Sequence, residues 1–268
     1  MRGGYPEGMK EGGMAAFRAE YLEEKLGFSD PHAALFVPES ARRYARAAAA
    51  KDRRSPGLAL ARFQRFGERM ASAARDVDQF LFLGIGYDTR ALWLPEIAAN
   101  AVRVFEVDMA AVIARKARVL AENGIGYPDR VIPLGIDLTA PDFRRTLENA
   151  GFDPSRPSGL FIEGVTFQLP PETSRRILDP RGLGLAAGSL VTFDYWTRDR
   201  VRARNARIAL APMHEFALPE TPEELRRSLE GLGYRDVSIR PLSELAAALW
   251  PDEGHDQQDW HLVEATVA

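Results

Sequence analysis

Glycine and acidic residues recur at four points in the middle of this sequence, and each point directly follows a short apolar run. The glycine pair of Gly84-Ile85-Gly86 follows FLFL, Asp108 follows VFEV, Asp137 follows VIPLGI and Glu163 follows GLFI. Glycine lets the backbone approach a ligand closely, and carboxylates accept hydrogen bonds from hydroxyl and amino groups. If the runs are strands of one parallel sheet, the four points meet at its carboxyl edge, where open α/β sheets bind ligands.

Asp108 and Asp137 each fit the binding of a nucleoside, and each has a plainer alternative. A carboxylate at the end of the second strand can accept hydrogen bonds from both hydroxyls of a ribose. Asp108 can equally cap the helix that is predicted to begin at Met109. Asp137 can accept a hydrogen bond from an adenine amino group while Leu138 packs on the ring, and the alternative is a solvated loop carboxylate.

Glu163 and the glycine turn differ in how much they indicate on their own. A strand that ends in Glu163 favours a functional role, because glutamate is rarely placed against a core unless it is paired. The turn from Gly84 to Gly86 fits a ligand site and a structural turn equally well. It departs from the dinucleotide fingerprint G-x-G-x-x-G, because Thr89 stands where the last glycine belongs. A nicotinamide-dependent oxidoreductase is therefore disfavoured.

Strands and helices alternate along most of the chain, which is typical of a doubly wound α/β sheet with helices on both faces. Hydrophobic periodicity and turn residues place the elements. Strands are predicted at residues 80–83, 101–107, 130–134, 159–162, 188–195, 234–240 and 260–267, and helices at 14–26, 39–50, 58–74, 109–123, 141–150, 171–179, 222–232 and 243–249. Thr221 and Glu224 predict a capping box at the start of the helix at 222–232. The last strand, helix and strand predict an antiparallel edge.

Composition excludes several functional classes for this chain of 268 residues. A net charge of −3 provides no basic face for nucleic acid, and the absence of cysteine excludes disulfides, thiolate metal sites and cysteine nucleophiles. Residues 1–13 lack the apolar core of a signal peptide, and no run reaches the roughly 18 apolar residues of a membrane span. The sequence predicts a cytoplasmic protein that binds neither nucleic acid nor a membrane.

The segments LGIGYDTR, VFEVD, GIDL and IEGVTFQLP occur in this order and resemble the leucine carboxyl methyltransferase family. This family uses S-adenosylmethionine, and its bacterial members include polyketide-tailoring O-methyltransferases. The resemblance implies a class I, Rossmann-like fold with a seven-stranded, mostly parallel sheet. It further implies a single methyltransferase domain, in which residues 1–57 form a helical lid, 58–195 the cofactor-binding core, and 196–268 the substrate wall and last strands.

The resemblance also implies a role for each residue of the strand-end set. Gly84 and Gly86 would approach the methionine part of the cofactor, and Asp108 would hold the ribose. Asp137 and Leu138 would hold the adenine, and Glu163 would lie beside the cofactor's amino group.

Arg62 matches a further position of the family pattern, whereas Gln168 departs from it. The family places an arginine before the glycine strand, where it binds the cofactor carboxylate, and LARFQRF puts Arg62 at that position, with Arg65 as the alternative. An arginine fork matches a carboxylate with two parallel hydrogen bonds. Family members commonly have tyrosine where Gln168 stands, at a position that faces the reacting centre. This departure concerns the acceptor rather than the cofactor.

The function predicted from these residues is S-adenosylmethionine-dependent O-methylation of a carboxylate or phenol on a small molecule, with a polyketide-like acceptor as one candidate. A carboxylate is ionised near neutral pH, whereas a phenol benefits from a general base. His214, Tyr195 and Arg198 are the candidates near the acceptor, although a surface position is the plainer alternative for His214. No metal site is predicted. The alternatives are methylation of a protein C-terminal carboxylate and a catalytically silent cofactor-binding protein.

Overall fold

The computed structural model describes residues 9–52, 54–207 and 212–268, and a seven-stranded sheet lies at its centre. The strands are β1 (Gln79–Leu83), β2 (Arg103–Asp108), β3 (Val131–Gly135), β4 (Ser158–Ile162), β5 (Leu190–Trp196), β6 (Tyr234–Pro241) and β7 (Trp260–Val267). Their order across the sheet is β3-β2-β1-β4-β5-β7-β6. The first five strands pair in parallel, and β7 runs antiparallel between β5 and β6. The predicted mostly parallel sheet with an antiparallel edge is confirmed.

β1 lies inside the sheet between β2 and β4, and all of its residues are buried. Leu81 and Leu83 pack into the hydrophobic cluster on one face of the sheet, and Phe80 and Phe82 pack into the cluster on the other. Side chains of a strand alternate between faces, so an uninterrupted apolar run of this kind needs cover on both sides. The glycine turn that follows β1 is therefore attached to a strand that is packed on both faces.

Helices cover both faces of the sheet and the carboxyl ends of its strands. They are α1 (Met9–Leu26), α2 (Glu39–Lys51), α3 (Ser55–Ala73), α4 (Arg90–Trp93), α5 (Pro95–Ala99), α6 (Ala110–Glu122), α7 (Phe143–Asn149), α8 (Pro171–Leu178), α9 (Pro180–Leu183), α10 (Arg198–Arg207), α11 (Pro222–Leu232) and α12 (Leu242–Leu249). Three 3₁₀ helices at Ala33–Phe36, Thr166–Gln168 and Pro251–Glu253 complete the list. Within the described ranges, none of the helices is long and apolar enough to cross a membrane.

Several helix predictions need correction. α1 begins at Met9 rather than at residue 14, while residues 1–8 lie outside the described residues. α10 lies between the fifth predicted strand and the predicted helix at 222–232, where no helix was predicted. The predicted capping box of α11 is wrong, because the Thr221 hydroxyl donates to the carboxylate of Glu224 and no side chain caps the helix amides. Pro222 at the first helical position and Gly233 after the last helical residue mark the two ends as predicted.

The three N-terminal helices pack on one another through a cluster of their own. Phe17 and Leu22 of α1 contact Ala41 and Ala45 of α2, together with Leu60 and Phe63 of α3, and all of these side chains are buried. α3 continues into the cluster beneath the sheet through Phe66 and Met70. As a result of this packing, α1 and α2 lie over the carboxyl ends of the central strands.

Candidate active site

A cavity of about 680 Å³ opens at the carboxyl ends of the central strands, beneath α1 and α2. Met14 and Phe17 of α1 and Tyr44 of α2 lie on the helical side of the cavity. Every residue that was predicted to bind the cofactor lies on its wall: Arg62, Gly84, Gly86, Asp108, Asp137, Leu138 and Glu163. The structure thus brings together residues that lie up to 101 positions apart in the sequence.

The glycine turn forms the floor of the cavity. Gly84 and Gly86 have φ angles of 73° and 53°, which residues with a side chain rarely adopt. A Cβ on Gly84 would lie 2.4 Å from a methyl carbon of Val165, whereas a Cβ on Gly86 would meet nothing within 4 Å. The amides of Gly84 and Ile85 donate to the carbonyl of Val107, at 2.8 and 3.1 Å, which ties the turn to β2. Gly86 therefore leaves open space in which a ligand can contact the backbone.

Asp108 connects the end of β2 to this turn. Its Oδ2 accepts a hydrogen bond from the amide of Gly86 at 2.7 Å, and its Oδ1 accepts one from the amide of Met109 at 2.7 Å. α6 begins at Ala110, and its N-cap residue is Met109. Asp108 is therefore not the N-cap residue of this helix. The carboxylate instead lies where β2, the glycine turn and the cavity meet.

Asp137 and Leu138 extend the same side of the cavity beyond β3. Oδ1 of Asp137 accepts hydrogen bonds from the amide and hydroxyl of Thr139, at 2.8 and 2.7 Å. These bonds, the amide first, hold the pKa of Asp137 below its usual range. Leu138 is buried in the core cluster beside the cavity. A charged carboxylate and an apolar side chain thus stand next to each other on the wall.

Arg62 is the cavity-lining arginine of α3, and it is only 3% exposed. Its Nε donates to Glu163 at 3.0 Å, its Nη1 donates to Asp194 at 3.0 Å, and its guanidinium lies 4.9 Å from the ring centre of Trp260. Although burial opposes the charge, the two carboxylates raise the pKa of Arg62 above its ordinary value. Among the described residues, none accepts a hydrogen bond from Nη2, which leaves this group for a ligand.

Arg65, the sequence-based alternative to Arg62, lies elsewhere. Its Nε and Nη2 donate to the carboxylate of Glu264, at 2.8 and 3.0 Å, and its Nη1 donates to Glu68. It is absent from the described cavity wall. The geometry therefore favours Arg62 over Arg65 as a ligand-binding arginine.

Asp194 is a residue of the site that sequence reasoning missed. It is fully buried in β5, and besides Arg62 it accepts hydrogen bonds from the amide of Gly164 at 2.5 Å and from the indole Nε1 of Trp260 at 2.6 Å. Burial raises the pKa of Asp194, while the charge of Arg62 opposes that rise. An aspartate within the otherwise apolar and aromatic run LVTFDYW was the available signal, because such a residue is rarely buried without a partner.

Arg90 is the second residue that was missed, although it belongs to the DTR segment of the sequence. It is 1% exposed, donates to Asp88, Glu163 and the carbonyl of Phe63, and lies 4.3 Å from the ring centre of Phe63. Burial favours the neutral form of Asp88, but the positive charge of Arg90 outweighs it and lowers the pKa of Asp88 to about 2. Glu163 is consequently held between Arg62 and Arg90.

The three candidates for acceptor chemistry do not join this group. The hydroxyl of Tyr195 donates to the carbonyl of Glu220 at 3.2 Å, and burial raises its pKa. Arg198 pairs with the Glu220 carboxylate at 3.3 Å. The backbone amide of His214 donates a hydrogen bond to the carbonyl of Phe167 at 2.8 Å. None of the three candidates is part of the cavity wall formed by the described residues.

The wall that follows β4 and β5 is mainly apolar and aromatic. The rings of Phe167 and Trp196 stack with centres 4.1 Å apart and an angle of 15° between their planes. Leu169 and Met213 lie on the same wall. Gln168 is its polar member, and its Nε2 donates to the carbonyl of Gly164. In the ranges that the structure describes, no group of three or more histidine, aspartate or glutamate side chains can hold a metal ion.

Several known proteins resemble the chain in sequence. The family described as leucine carboxyl methyltransferase matches residues 12–180. A Mycolicibacterium vanbaalenii protein, provisionally named an S-adenosyl-L-methionine-dependent methyltransferase, is 39% identical over 211 residues, which is 71% of this chain and 68% of the relative. A Frankia alni protein with a similar name is 31% identical over 189 residues, or 70% of this chain and 65% of the relative. A third relative, from Mycolicibacterium smegmatis, matches over only 43% of its own length.

Solved structures share the fold at lower sequence identity. A methyltransferase-named protein from Thermobifida fusca superimposes with a TM-score of 0.58 at 21% identity, covering 98% of both chains. A DUF574 family protein from Streptomyces avermitilis gives a TM-score of 0.63 at 19% identity, covering 94% of this chain and 97% of the other. The fold is the predicted class I, Rossmann-like one, and the chain belongs to the leucine carboxyl methyltransferase family of S-adenosylmethionine-dependent methyltransferases.

Proposed function

We propose that this protein is an O-methyltransferase that acts on a carboxylate or phenol of a small molecule, with polyketide-like compounds among the candidate acceptors. The observation that carries the proposal is the cavity of about 680 Å³ beneath α1 and α2. Its volume falls within the roughly 300–1,000 Å³ of typical small-molecule sites. Asp108 and Asp137 lie on the side of β2 and β3, and the stacked rings of Phe167 and Trp196 lie on the side of β4 and β5, which suits a polar cofactor and a flat acceptor.

The residues on the cavity wall fit S-adenosylmethionine group by group. Asp108 would accept hydrogen bonds from the ribose hydroxyls, and Asp137 would accept one from the adenine amino group while Leu138 packs on the ring. The open space over Gly86 would take the methionine chain. These assignments place the nucleoside over β2 and β3.

The amino-acid end of the cofactor would lie over β1 and β4. Nη2 of Arg62 would donate to the cofactor carboxylate, an interaction that charge strengthens. Glu163 would lie beside the cofactor's amino group, held in place by Arg62 and Arg90. When bound, the cofactor supplies a methyl group on a positively charged sulfur.

The contribution of the protein to catalysis would be alignment and the exclusion of water. Holding two reactants in a productive geometry lowers the barrier without any proton transfer by the protein. The stacked rings of Phe167 and Trp196 offer a flat surface against which an aromatic acceptor can lie. His214 lies off the described wall and is not proposed as a general base. Tyr195 and Arg198 also lie off that wall and are not proposed to line the acceptor pocket.

Binding and turnover test the proposal separately. Isothermal titration calorimetry with S-adenosylhomocysteine should detect binding, and mass spectrometry of incubations with S-adenosylmethionine should detect the gain of one methyl group on members of a panel of phenols and carboxylic acids. Failure to bind S-adenosylhomocysteine would contradict the proposal. Binding without turnover of any acceptor would favour the alternative of a catalytically silent protein.

Methylation of a protein C-terminal carboxylate is the second candidate, and the name of the matched family favours it. A peptide chain must enter the cavity through its opening, which Tyr44 of α2 flanks with an exposed ring. Peptides that end in a leucine carboxylate, assayed beside the small molecules, distinguish the two candidates. Methylation of the peptides alone would favour the protein-directed activity.

A further inference from the structure

The amide group of Gln168 has a defined orientation. Gln168 ends the 3₁₀ helix Thr166–Gln168 that follows β4, and its Nε2 lies 2.5 Å from the carbonyl oxygen of Gly164. A backbone carbonyl can only accept a hydrogen bond, so the nitrogen of the amide must face it. Oε1 is then the free end of the amide, and no donor among the described residues reaches it. Because Gln168 lines the cavity, Oε1 is a hydrogen-bond acceptor that a ligand can use.

Gln168 lies on the side of the cavity where an acceptor must bind. In the order β3-β2-β1-β4-β5, the glycine turn after β1 separates the ends of β2 and β3 from the ends of β4 and β5. Asp108 and Asp137 follow β2 and β3, and under the proposed function they hold the nucleoside. The amino-acid end of the cofactor lies over β1 and β4 under the same proposal. The acceptor is left with the wall beyond them, where Gln168 lies beside the stacked rings of Phe167 and Trp196.

The same side offers no cation for a carboxylate acceptor. Of the cavity-lining arginines, Arg18 pairs with Asp30 at 2.9 Å and Arg90 pairs with Asp88 and Glu163. The free Nη2 of Arg62 is assigned to the cofactor carboxylate under the proposed function, while its Nε and Nη1 pair with Glu163 and Asp194. Neither lysine nor histidine is part of the wall that the described residues form. An ionised carboxylate moved from water to such a wall loses its hydration without gaining a cationic partner from the protein.

We propose that Gln168 determines specificity and that the methylated group is a neutral hydroxyl on a flat apolar molecule, not a carboxylate. The inference rests on the proposed function and narrows it. A hydroxyl donates to Oε1 of Gln168, whereas a carboxylate has no proton to donate and meets the amide oxygen with its own negative charge.

The transfer balances without a further reactant. The hydroxyl oxygen forms a bond to the methyl carbon, the bond from that carbon to the sulfonium sulfur breaks, and its electron pair stays on the sulfur. After the transfer is complete, the proton leaves the acceptor oxygen for solvent water. As the oxygen becomes more positive, its O–H donates more strongly to Oε1, so the hydrogen bond to Gln168 keeps the oxygen aligned during the transfer.

A matched pair of fused-ring compounds tests the inference on the full chain saturated with S-adenosylhomocysteine. Calorimetry should give a dissociation constant for 2-naphthol at least tenfold below that for 2-naphthoate. Gln168→Met should weaken 2-naphthol about tenfold, because one hydrogen bond is lost, and should not weaken 2-naphthoate, which donates no hydrogen bond to Oε1. Gln168→Arg should reverse the preference, because a guanidinium supplies the missing cation. Gln258→Met is the control, since that amide donates to Ser243 away from the cavity.

Several results would overturn the inference. These are a wild-type preference for 2-naphthoate or for 2-naphthylamine, no measurable binding of 2-naphthol, and an unchanged 2-naphthol affinity in Gln168→Met. Unaltered binding of S-adenosylhomocysteine by each variant shows that the fold is kept, and Gln168→Leu replaces any variant that fails this check. Failure of the wild-type protein to bind S-adenosylhomocysteine would contradict the proposed function itself, which separates the two failures.

Discussion

Arg62 and Asp194 form a buried ion pair, in which Nη1 of the arginine lies 3.0 Å from Oδ2 of the aspartate. α3 provides the arginine and β5 the aspartate, so the pair connects α3 to the sheet. Glu163 holds the same guanidinium through Nε. A cation fixed from two sides has its remaining Nη2 in a defined place, which is the property that a binding site for a carboxylate needs.

Arg62→Ala should weaken S-adenosylhomocysteine by roughly 2 to 5 kcal/mol, because a buried charged hydrogen bond to the ligand carboxylate is lost. 5′-Methylthioadenosine lacks that carboxylate, so its affinity should not change. Calorimetry with both ligands makes the comparison, and Arg65→Ala serves as the matched arginine control. Equal weakening of both ligands would show a general loss of structure, and a loss confined to Arg65→Ala would transfer the role to Arg65.

Asp194→Asn should show that the aspartate positions Arg62. The substitution keeps the size of the side chain and removes its charge, so Arg62 retains only Glu163 as an ionic partner. We expect about 3 kcal/mol less free energy of unfolding in urea, as for a broken buried ion pair. S-adenosylhomocysteine should weaken about tenfold, while 5′-methylthioadenosine keeps its affinity. A lower free energy of unfolding with unchanged affinity for both ligands would show that Asp194 has only a structural role.

Gly86→Ala should impair binding more than it impairs folding. At a φ of 53° an alanine costs about 1 to 2 kcal/mol, and its Cβ would enter the space assigned to the methionine chain. Gly124→Ala is the control, because Gly124 has a φ of 72°, equally open surroundings and no place on the cavity wall. Urea unfolding should therefore show similar losses for both variants. Only Gly86→Ala should weaken S-adenosylhomocysteine, by at least tenfold, and equal affinities would contradict the placement.

The Asp88–Arg90 pair should make stability depend on pH. Because the folded pKa of Asp88, about 2, lies below its ordinary value of 3.8, the group stabilises the fold above pH 3.8 and loses that contribution as the pH falls towards 2. The contribution amounts to about 2 kcal/mol at 1.36 kcal/mol per unit. In urea titrations, the stability difference between the wild type and Asp88→Asn should shrink from pH 5 to pH 2. A difference that stays constant would contradict the pairing.

The residues that local patterns could identify are those in turns and at strand ends. Gly84, Gly86, Asp108, Asp137 and Glu163 all follow apolar runs, and a parallel sheet brings such positions to one edge whatever the rest of the chain does. The fold itself followed from the same alternation of strands and helices. This explains why the cavity wall beyond β1, β2 and β3 was predicted more completely than the wall beyond β5.

Partners across long sequence separations could not be predicted in the same way. Asp194 and Arg62 lie 132 residues apart, and Arg90 and Glu163 lie 73 apart, so their pairing depends on how helices pack on the sheet. The position of Tyr195 away from the described cavity wall has a related cause. Side chains alternate along a strand, and Tyr195 therefore points into the cluster on the opposite face from Trp196, which reaches the cavity.

Calorimetric titration of S-adenosylhomocysteine into the wild type and Asp108→Ala tests the central claim most directly, namely that this cavity is the cofactor site of a methyltransferase. The wild type should bind, and the variant should bind at least tenfold more weakly, because the ribose hydroxyls lose a charged acceptor. Thermal unfolding of both proteins without ligand checks that the variant is folded. No binding by the wild type, or equal affinities for the two folded proteins, would contradict the account.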